Sequence, residues 1–372
     1  MDDCSWSSSK SNKEDSVSMK ILSSSEIDRD AWRKLVETSG TGTWFQTPAA
    51  YDFFASMPEL FVPFVFAIAN NSSLSEAQHS STPSLHEQVL RAICVGYVTV
   101  EKNPIKQFFT RRGIIIGGPA LADDCTEEEV EALMSAVGEQ LQSKAIYIET
   151  RNFNDYSKWK DAFDGAGFNY QPHLNFHVDT SSVEIVEANL GRNRKRDIRT
   201  SFRDGAVVID NPTIGQIHEF YTILKQLYAT KVRTPLFPLS FFEQLYLHRD
   251  ARFLLVGIPK DEGEIEIIGG TVCVALAGKC LYEWFACGRD GEWKSIFPSS
   301  VATYAGIRYA AEHGMPRLDM MGAGKPEEAY GVRDFKARFG GKEVEFGRFL
   351  CITKPLLYKI GVLGVKILKK YK

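Results

Sequence analysis

The chain has 372 residues, 44% hydrophobic and 24% charged, enough for two ordinary domains with their own cores, and disorder as the main state is excluded. A formal net charge of -3 gives no global pull toward nucleic acid or an anionic membrane, so contact with a polyanion must come from a local patch. The longest near-continuous apolar run, residues 61–69, falls well short of the roughly 20 residues of a membrane span, and the polar, acidic N-terminus does not read as a signal peptide.

Residues 1–18 are Ser-rich and charged and are expected to form a disordered leader. Residues 19–180 read as a mixed α/β domain. The patterning predicts a helix at 28–38, strands near 65 and 96, a strand at 113–116, a helix at 127–143 opened by acidic residues, and a strand at 145–150. A second Ser-rich stretch, 70–87, is expected as a long hairpin loop. Residues 181–350 read as a second domain: a basic helix at 191–203, helices at 214–229 and 240–247, strands at 252–258, 265–275 and 279–287, a helix at 299–313 and a strand at 317–321. Ala277-Gly278 suits a tight turn between two of those strands. Cys94, Cys273 and Cys280 sit in apolar strand-like runs, as buried thiols of a reduced, cytoplasmic protein do. Cys273, Cys280 and Cys287 recur every seven residues, but without the close pairs or nearby histidines of a zinc site, so no metal is expected.

An internal duplication is the informative feature. The helix at 127–143 runs into AIYIETRN and then Trp159-Lys160-Asp161-Ala162-Phe163 with Gly165; the helix at 299–313 runs into RLDMMG and then Phe335-Lys336-Ala337-Arg338-Phe339 with Gly340-Gly341. Each copy places two rings four residues apart on one face of a short helix, ended by a left-handed glycine. Lys160 is expected to be merely solvated. In the second copy Arg333 and Lys336, three apart, share a helical face after a strand that ends in small residues and so opens a cleft.

Gly322-Ala323-Gly324-Lys325 is not a phosphate loop, because Pro326 stands where the magnesium-binding Ser or Thr belongs, and Glu327 breaks a GxGxxG reading. Neither GxSxG nor HExxH is present. Arg192, Arg196, Arg199 and Arg203, spaced 4, 3 and 4, form a cationic stripe with Arg194 and Lys195 beside it and Asp197 as the one acid, a pattern suited to phosphate. Residues 354–372 carry six lysines, no acids and many aliphatics. Such a helix lies on an anionic membrane surface or packs its apolar face on the first domain, and both readings stand.

These residues carry a resemblance. Trp44-Phe45-Gln46-Thr47-Pro48, the RGIIIGGP run at 112–119, Asn193-Arg194-Lys195-Arg196-Asp197-Ile198-Arg199, and Gly322-Ala323-Gly324 with the segment 330–341 (YGVRDFKARFGG) make the chain resemble the FemABX family of peptidoglycan bridge-forming aminoacyl transferases over about residues 19–350. The resemblance implies an α/β fold of two tandem GNAT-like domains with mixed sheets and a cleft between them. About 50 residues separate Arg203 from Arg252, too few for the long coiled-coil arm of some members. It implies a cytoplasmic enzyme, soluble or peripheral at the inner membrane face. The enzyme transfers an amino acid from aminoacyl-tRNA to an amine of a peptidoglycan or other cell-envelope precursor, without a cofactor. Lys336 matches the family lysine read as the cation facing developing negative charge, Asp319 is the candidate proton acceptor, and Arg333, Arg112, Tyr330, Arg192, Arg196 and Arg199 are the candidate substrate contacts. Compact relatives place a phosphate-binding lysine soon after the Phe-Gln motif; residues 49–56 hold none, which weighs against a nucleotide-linked precursor. An acyl-CoA-dependent N-acyltransferase acting on an amino sugar or lipid intermediate is the alternative, although the R/Q-x-x-G-x-G/A loop of CoA binders is missing. A noncatalytic binding protein keeping the fold is the third reading.

Overall fold

A computed structural model describes residues 19–70, 88–232 and 235–370; the expected leader at 1–18 and nearly all of the expected loop at 70–87 lie outside the described residues. The first half builds β1 (Met19–Ser23), α1 (Arg29–Thr38), α2 (Pro48–Ala55), β2 (Phe61–Asn70), β3 (Leu90–Thr99), α3 (Pro104–Thr110), β4 (Arg112–Gly117), β5 (Ala120–Leu121), α4 (Glu127–Leu141), β6 (Tyr147–Asn152), α5 (Lys160–Gly165), β7 (Asn169–Gln171) and β8 (Leu174–Asp179). The second builds α6 (Val183–Asn189), α7 (Arg192–Arg203), β9 (Val207–Ile209), α8 (Ile214–Leu227), α9 (Leu239–Tyr246), β10 (Ala251–Pro259), β11 (Ile265–Leu276), β12 (Cys280–Gly288), α10 (Pro298–Glu312), β13 (Arg317–Asp319), α11 (Gly331–Ala337), β14 (Lys342–Glu345), β15 (Arg348–Ile352) and α12 (Pro355–Lys370). Local chemistry sets the boundaries. Thr126 with Glu129 and Thr213 with Gln216 close capping boxes that start α4 and α8, and Gly278, at φ 71°, makes the turn between β11 and β12.

The strands form two mixed sheets, ordered β1-β2-β3-β4-β6-β15-β7 with β5 on β3, and β14-β8-β13-β12-β11-β10-β9. Taken from β1 and from β9, the two orders correspond place for place. Each has a single parallel pair among the described strands, β4 with β6 and β12 with β13. The duplication legible in the sequence is therefore a duplication of topology.

The halves also trade strands. β8, which ends the first half, inserts between β13 and β14 of the second sheet, and β15, which ends the second, inserts between β6 and β7 of the first. The expected division at residue 180, with a second domain closing at 350, thus does not follow the sheets: strand 174–179 serves the second, and strand 348–352 serves the first. Burial drives the exchange. Phe349 of β15 is 1% exposed and stacks on Phe163 of α5 at 4.0 Å, and its N–H donates to Thr150 Oγ1 on β6.

The largest core lies between the sheets and belongs to both. Trp44, Phe45, Phe54 and Phe61 of the first half pack with Phe241, Phe242, Tyr282 and Phe285 of the second, with edge-to-face pairs such as Phe45 with Tyr282 at 5.6 Å. Trp44 Nε1 donates to Asp250 Oδ2 across the same boundary at 3.0 Å. A second core joins α4 and α5 to the outer face of the first sheet, and a third joins α6, α7 and α10 to the second. Cys94, Cys273, Cys280 and Cys287 are buried in these cores as free thiols. The duplicated helices differ from expectation in two respects: they are shorter, so that Trp159 precedes α5 and Phe339 follows α11, and while Gly340 takes the left-handed conformation (φ 77°), in the first copy Gly167 does so (φ 80°) and Gly165 is the last helical residue.

Candidate active site

At the margin of the shared core the sheets part to leave a cleft of about 420 Å³. The pleat points alternate residues one way, so Arg112, Ile114 and Ile116 of β4 line it together, beside Tyr97 and Thr99 of β3 and Arg151 of β6. The second half contributes Tyr228, Phe237, Trp284, Met321 and Gly322; the exchanged strand contributes Arg348, and His173 stands just before β8. Gln46, fully buried, explains the Phe-Gln motif: its amide donates to Val95 O and Ile116 O and accepts from Val95 N, stitching β3 to β4 beyond their last paired residues.

The cleft is cationic. Glu149 is bracketed by Arg348 Nη1 and Arg151 Nε, each at 2.9 Å. Burial alone would raise this carboxyl, but the two guanidiniums overcome it and hold it at about 2. One carboxylate answers Arg151 and Arg348, Arg112 adds a third positive charge, and the lining has an excess suited to an anionic ligand. His173 Nε2 meets Arg348 Nη2 at 2.9 Å; burial, then the neighbouring Arg348, push its pKa down to about 4. The imidazole is thus neutral near pH 7, with Nε2 accepting and Nδ1 carrying the proton.

Lys336 does not line the cleft. Its ammonium is bound by the carbonyls of Met320 and, at 2.7 Å, Gly322. Asp319, fully buried, accepts from Met321 N at 2.7 Å and Asn175 Nδ2 at 2.8 Å, and its other oxygen meets His177 Nε2 at 3.0 Å. Asn175 Oδ1 takes the N–H of Gly322 at 2.8 Å. Lysine and aspartate thus clamp one backbone corner, where Met321 holds φ 53° and Gly322 φ 97°, and this corner presents Met321 and Gly322 to the cleft. The expected cation and proton acceptor thus hold this corner from behind and are not among the residues lining the cleft. Burial lowers the Lys336 pKa, against the pull of Glu283 and Asp319, and burial raises that of Glu283.

The other expected contacts divide. Arg112 lines the cleft. Arg333 is spent on the carbonyls of Ala323, Lys325 and Pro326, pinning the loop before α11. Tyr330 is 45% exposed, its ring packed against Gly324. Arg192, Arg196 and Arg199 are exposed on α7, outside the cleft lining, while Arg194, on the same helix, is buried against the rings of Phe335 and Phe339 and bonded to Ser300. Lys160 is exposed over the Tyr170 ring, solvated as expected. Sequence reading missed Glu149, Arg151, His173 and Arg348. Glu149 and Arg151 carried a signal, two alternate charges in an otherwise strand-like run. Arg348 carried none, since it reaches this site only through the strand exchange.

Two topologically equivalent halves, each with one parallel strand pair and a cleft between them, define a tandem GNAT architecture. The structure of FemX shares it over 92% of this chain and 99% of its own, with a TM-score of 0.66 at 14% identity. A tandem GNAT protein from the clavulanic acid biosynthesis pathway matches over 90% of this chain and 99% of its own, with a TM-score of 0.53 at 11% identity. Residues 249–364 match the model of the FemAB family, the part of the chain that holds the Gly322-Ala323-Gly324 and 330–341 motifs, and the likeness to FemX shows a shared fold. A comparison with curated proteins gave no match. Family and fold together support an acyltransferase.

Proposed function

We propose that this protein transfers an aminoacyl group from aminoacyl-tRNA to an amine of an anionic cell-envelope precursor seated in the cleft. The carrying observation is the arginine excess, Arg112, Arg151 and Arg348 against Glu149, on a lining drawn from both sheets. Arginine presents a planar fork suited to phosphate or carboxylate, so the lining fits the acceptor's anionic part. The acceptor amine then attacks the ester carbonyl, the carbon–nitrogen bond forms, and the tRNA hydroxyl leaves with the amine's proton. A cleft arginine is the cation available to the developing oxyanion, in the role read from sequence for Lys336. Asp319 is not among the cleft-lining residues and His173 Nε2 is engaged by Arg348, which favours direct passage from amine to leaving oxygen. The exposed Arg192, Arg196 and Arg199 suit the tRNA backbone, where contacts position without reading sequence.

The test is transfer of labelled amino acid from charged tRNA to a muropeptide, with acyl-CoA as the competing donor. Arg112→Ala is expected to lower kcat/KM by about 10²-fold with an unchanged melting temperature, and Arg196→Ala/Arg199→Ala to weaken tRNA binding and flatten its salt dependence. Transfer from acyl-CoA but not charged tRNA would overturn the donor assignment; no transfer from either would leave the noncatalytic reading.

A further inference from the structure

We propose that the surface formed by α3 and α12 docks this protein on an anionic phospholipid bilayer, beside the mouth of the cleft. α12 packs against α3 and is anchored at its start, with the Tyr358 ring 5.5 Å from Tyr147 and Lys354 Nζ donating to Ser143 O at 3.2 Å. That anchorage leaves another face uncovered. Leu356, Ile360 and Leu363, at i, i+4 and i+7, share one stripe and are 78%, 56% and 59% exposed. On α3, Phe108 and Phe109 are 49% and 42% exposed with their rings 5.0 Å apart, and the Arg111 guanidinium lies over Phe108. Five large apolar side chains turned to water on adjacent helices mark an interaction surface.

Charge decides what covers it. Residues 354–372 hold six lysines and no acid in a chain whose net charge is -3, so positive charge is concentrated in the segment that α12 belongs to. Apolar side chains among cations are the pairing an interface of acyl chains and anionic head groups receives. A second copy meeting this one about a two-fold axis would set lysine tail against lysine tail. Among the described residues no helix is long and apolar enough to cross a membrane, so α12 would lie in the surface. The placement has a consequence for the site: α3 leads into β4, whose first residue, Arg112, lines the cleft.

The proposal is read without any activity, so it stands or falls apart from the transfer reaction. The full chain is centrifuged with vesicles of phosphatidylcholine containing phosphatidylglycerol and with vesicles of phosphatidylcholine alone. Binding is expected to the first and not the second, to weaken with added salt, and to fall at least tenfold, about 1.4 kcal/mol, in Leu356→Glu/Ile360→Glu/Leu363→Glu. These side chains are exposed, so circular dichroism and melting of the variant should match the parent. Phe108→Ser/Phe109→Ser is the second variant, expected to weaken binding from the other helix. No binding to anionic vesicles, or undiminished binding by both variants, overturns the proposal. So does a parent that is dimeric by analytical ultracentrifugation, ignores vesicles, and becomes monomeric in the triple variant, because a second copy is then the occupant.

Discussion

The Lys336 ammonium lies 2.7 Å from the Gly322 carbonyl oxygen, behind the wall that Gly322 presents to the cleft. A lysine in this position acts through the backbone it holds. Lys336→Met keeps most of the side-chain volume but leaves two carbonyls without their ammonium and Glu283 without its nearest positive charge. The expected loss is about 3 kcal/mol of stability, read as a lower urea midpoint. A lysine facing substrate would instead lose turnover at unchanged stability, and that result would return Lys336 to the catalytic role.

Acid should dismantle the cleft in two steps. Burial and Arg348 hold His173 near 4, below the ordinary 6.5, so the unfolded chain takes up a proton first and stability falls as pH drops from about 6.5 to 4. Glu149 is held near 2 by Arg151 and Arg348 against an ordinary 4.5, so its contribution is complete above about 4.5 and disappears as pH falls to about 2. Urea titrations at pH 7, 5 and 3 should show His173→Gln lacking the upper step. Glu149→Gln should lack the lower step and lose about 3 kcal/mol at pH 7, because two arginines are left facing each other.

Gly340 supports a sharper test of the motif that carried the family resemblance. It ends α11 at φ 77°, and a Cβ there would come within 2.1 Å of Asn189 O, a backbone atom at the end of α6. Gly340→Ala therefore combines left-handed strain with a clash that no rotamer relieves, and is expected to cost more than about 2 kcal/mol. Gly167→Ala, also left-handed but with open space around it, should cost only about 1 kcal/mol. Equal melting temperatures for the two variants would show that the α6–α11 contact yields easily.

What was legible in the sequence was local. The basic helix α7, the capped helices α4 and α8, the β11–β12 hairpin and the duplicated ring pairs all follow from spacing and turn chemistry within one segment. The cleft was only partly legible, because its chemistry is assembled from distant segments. Arg112 and Gly322 were found through their motifs. Arg348 lies about 200 residues from its partner Glu149 and reads in sequence as an ordinary strand residue. Lys336 was read as facing substrate because helical spacing fixes which residues share a face but not which carbonyls wait beneath it. Arg194 sat beside a stripe that read as suited to phosphate, yet two phenyl rings four residues apart, Phe335 in α11 and Phe339 just past its end, bury it.

The strand exchange makes the halves interdependent, which the alternation of elements alone did not indicate. A fragment spanning 19–180 lacks β15, so β6 and β7 have no strand between them, and it carries β8 with the apolar Leu174, Phe176 and Val178 uncovered. It would also expose the aromatic face that Phe241, Phe242 and Phe285 cover in the whole chain. Expressed alone, 19–180 is expected to be insoluble or to bind a hydrophobic dye without near-ultraviolet circular dichroism. Co-expressed with 181–372, it should be recovered as a soluble one-to-one complex, since both exchanged strands then find their sheets. A 19–180 fragment that unfolds cooperatively by itself would mean that β15 is dispensable to the first sheet, and that the two halves are independent domains.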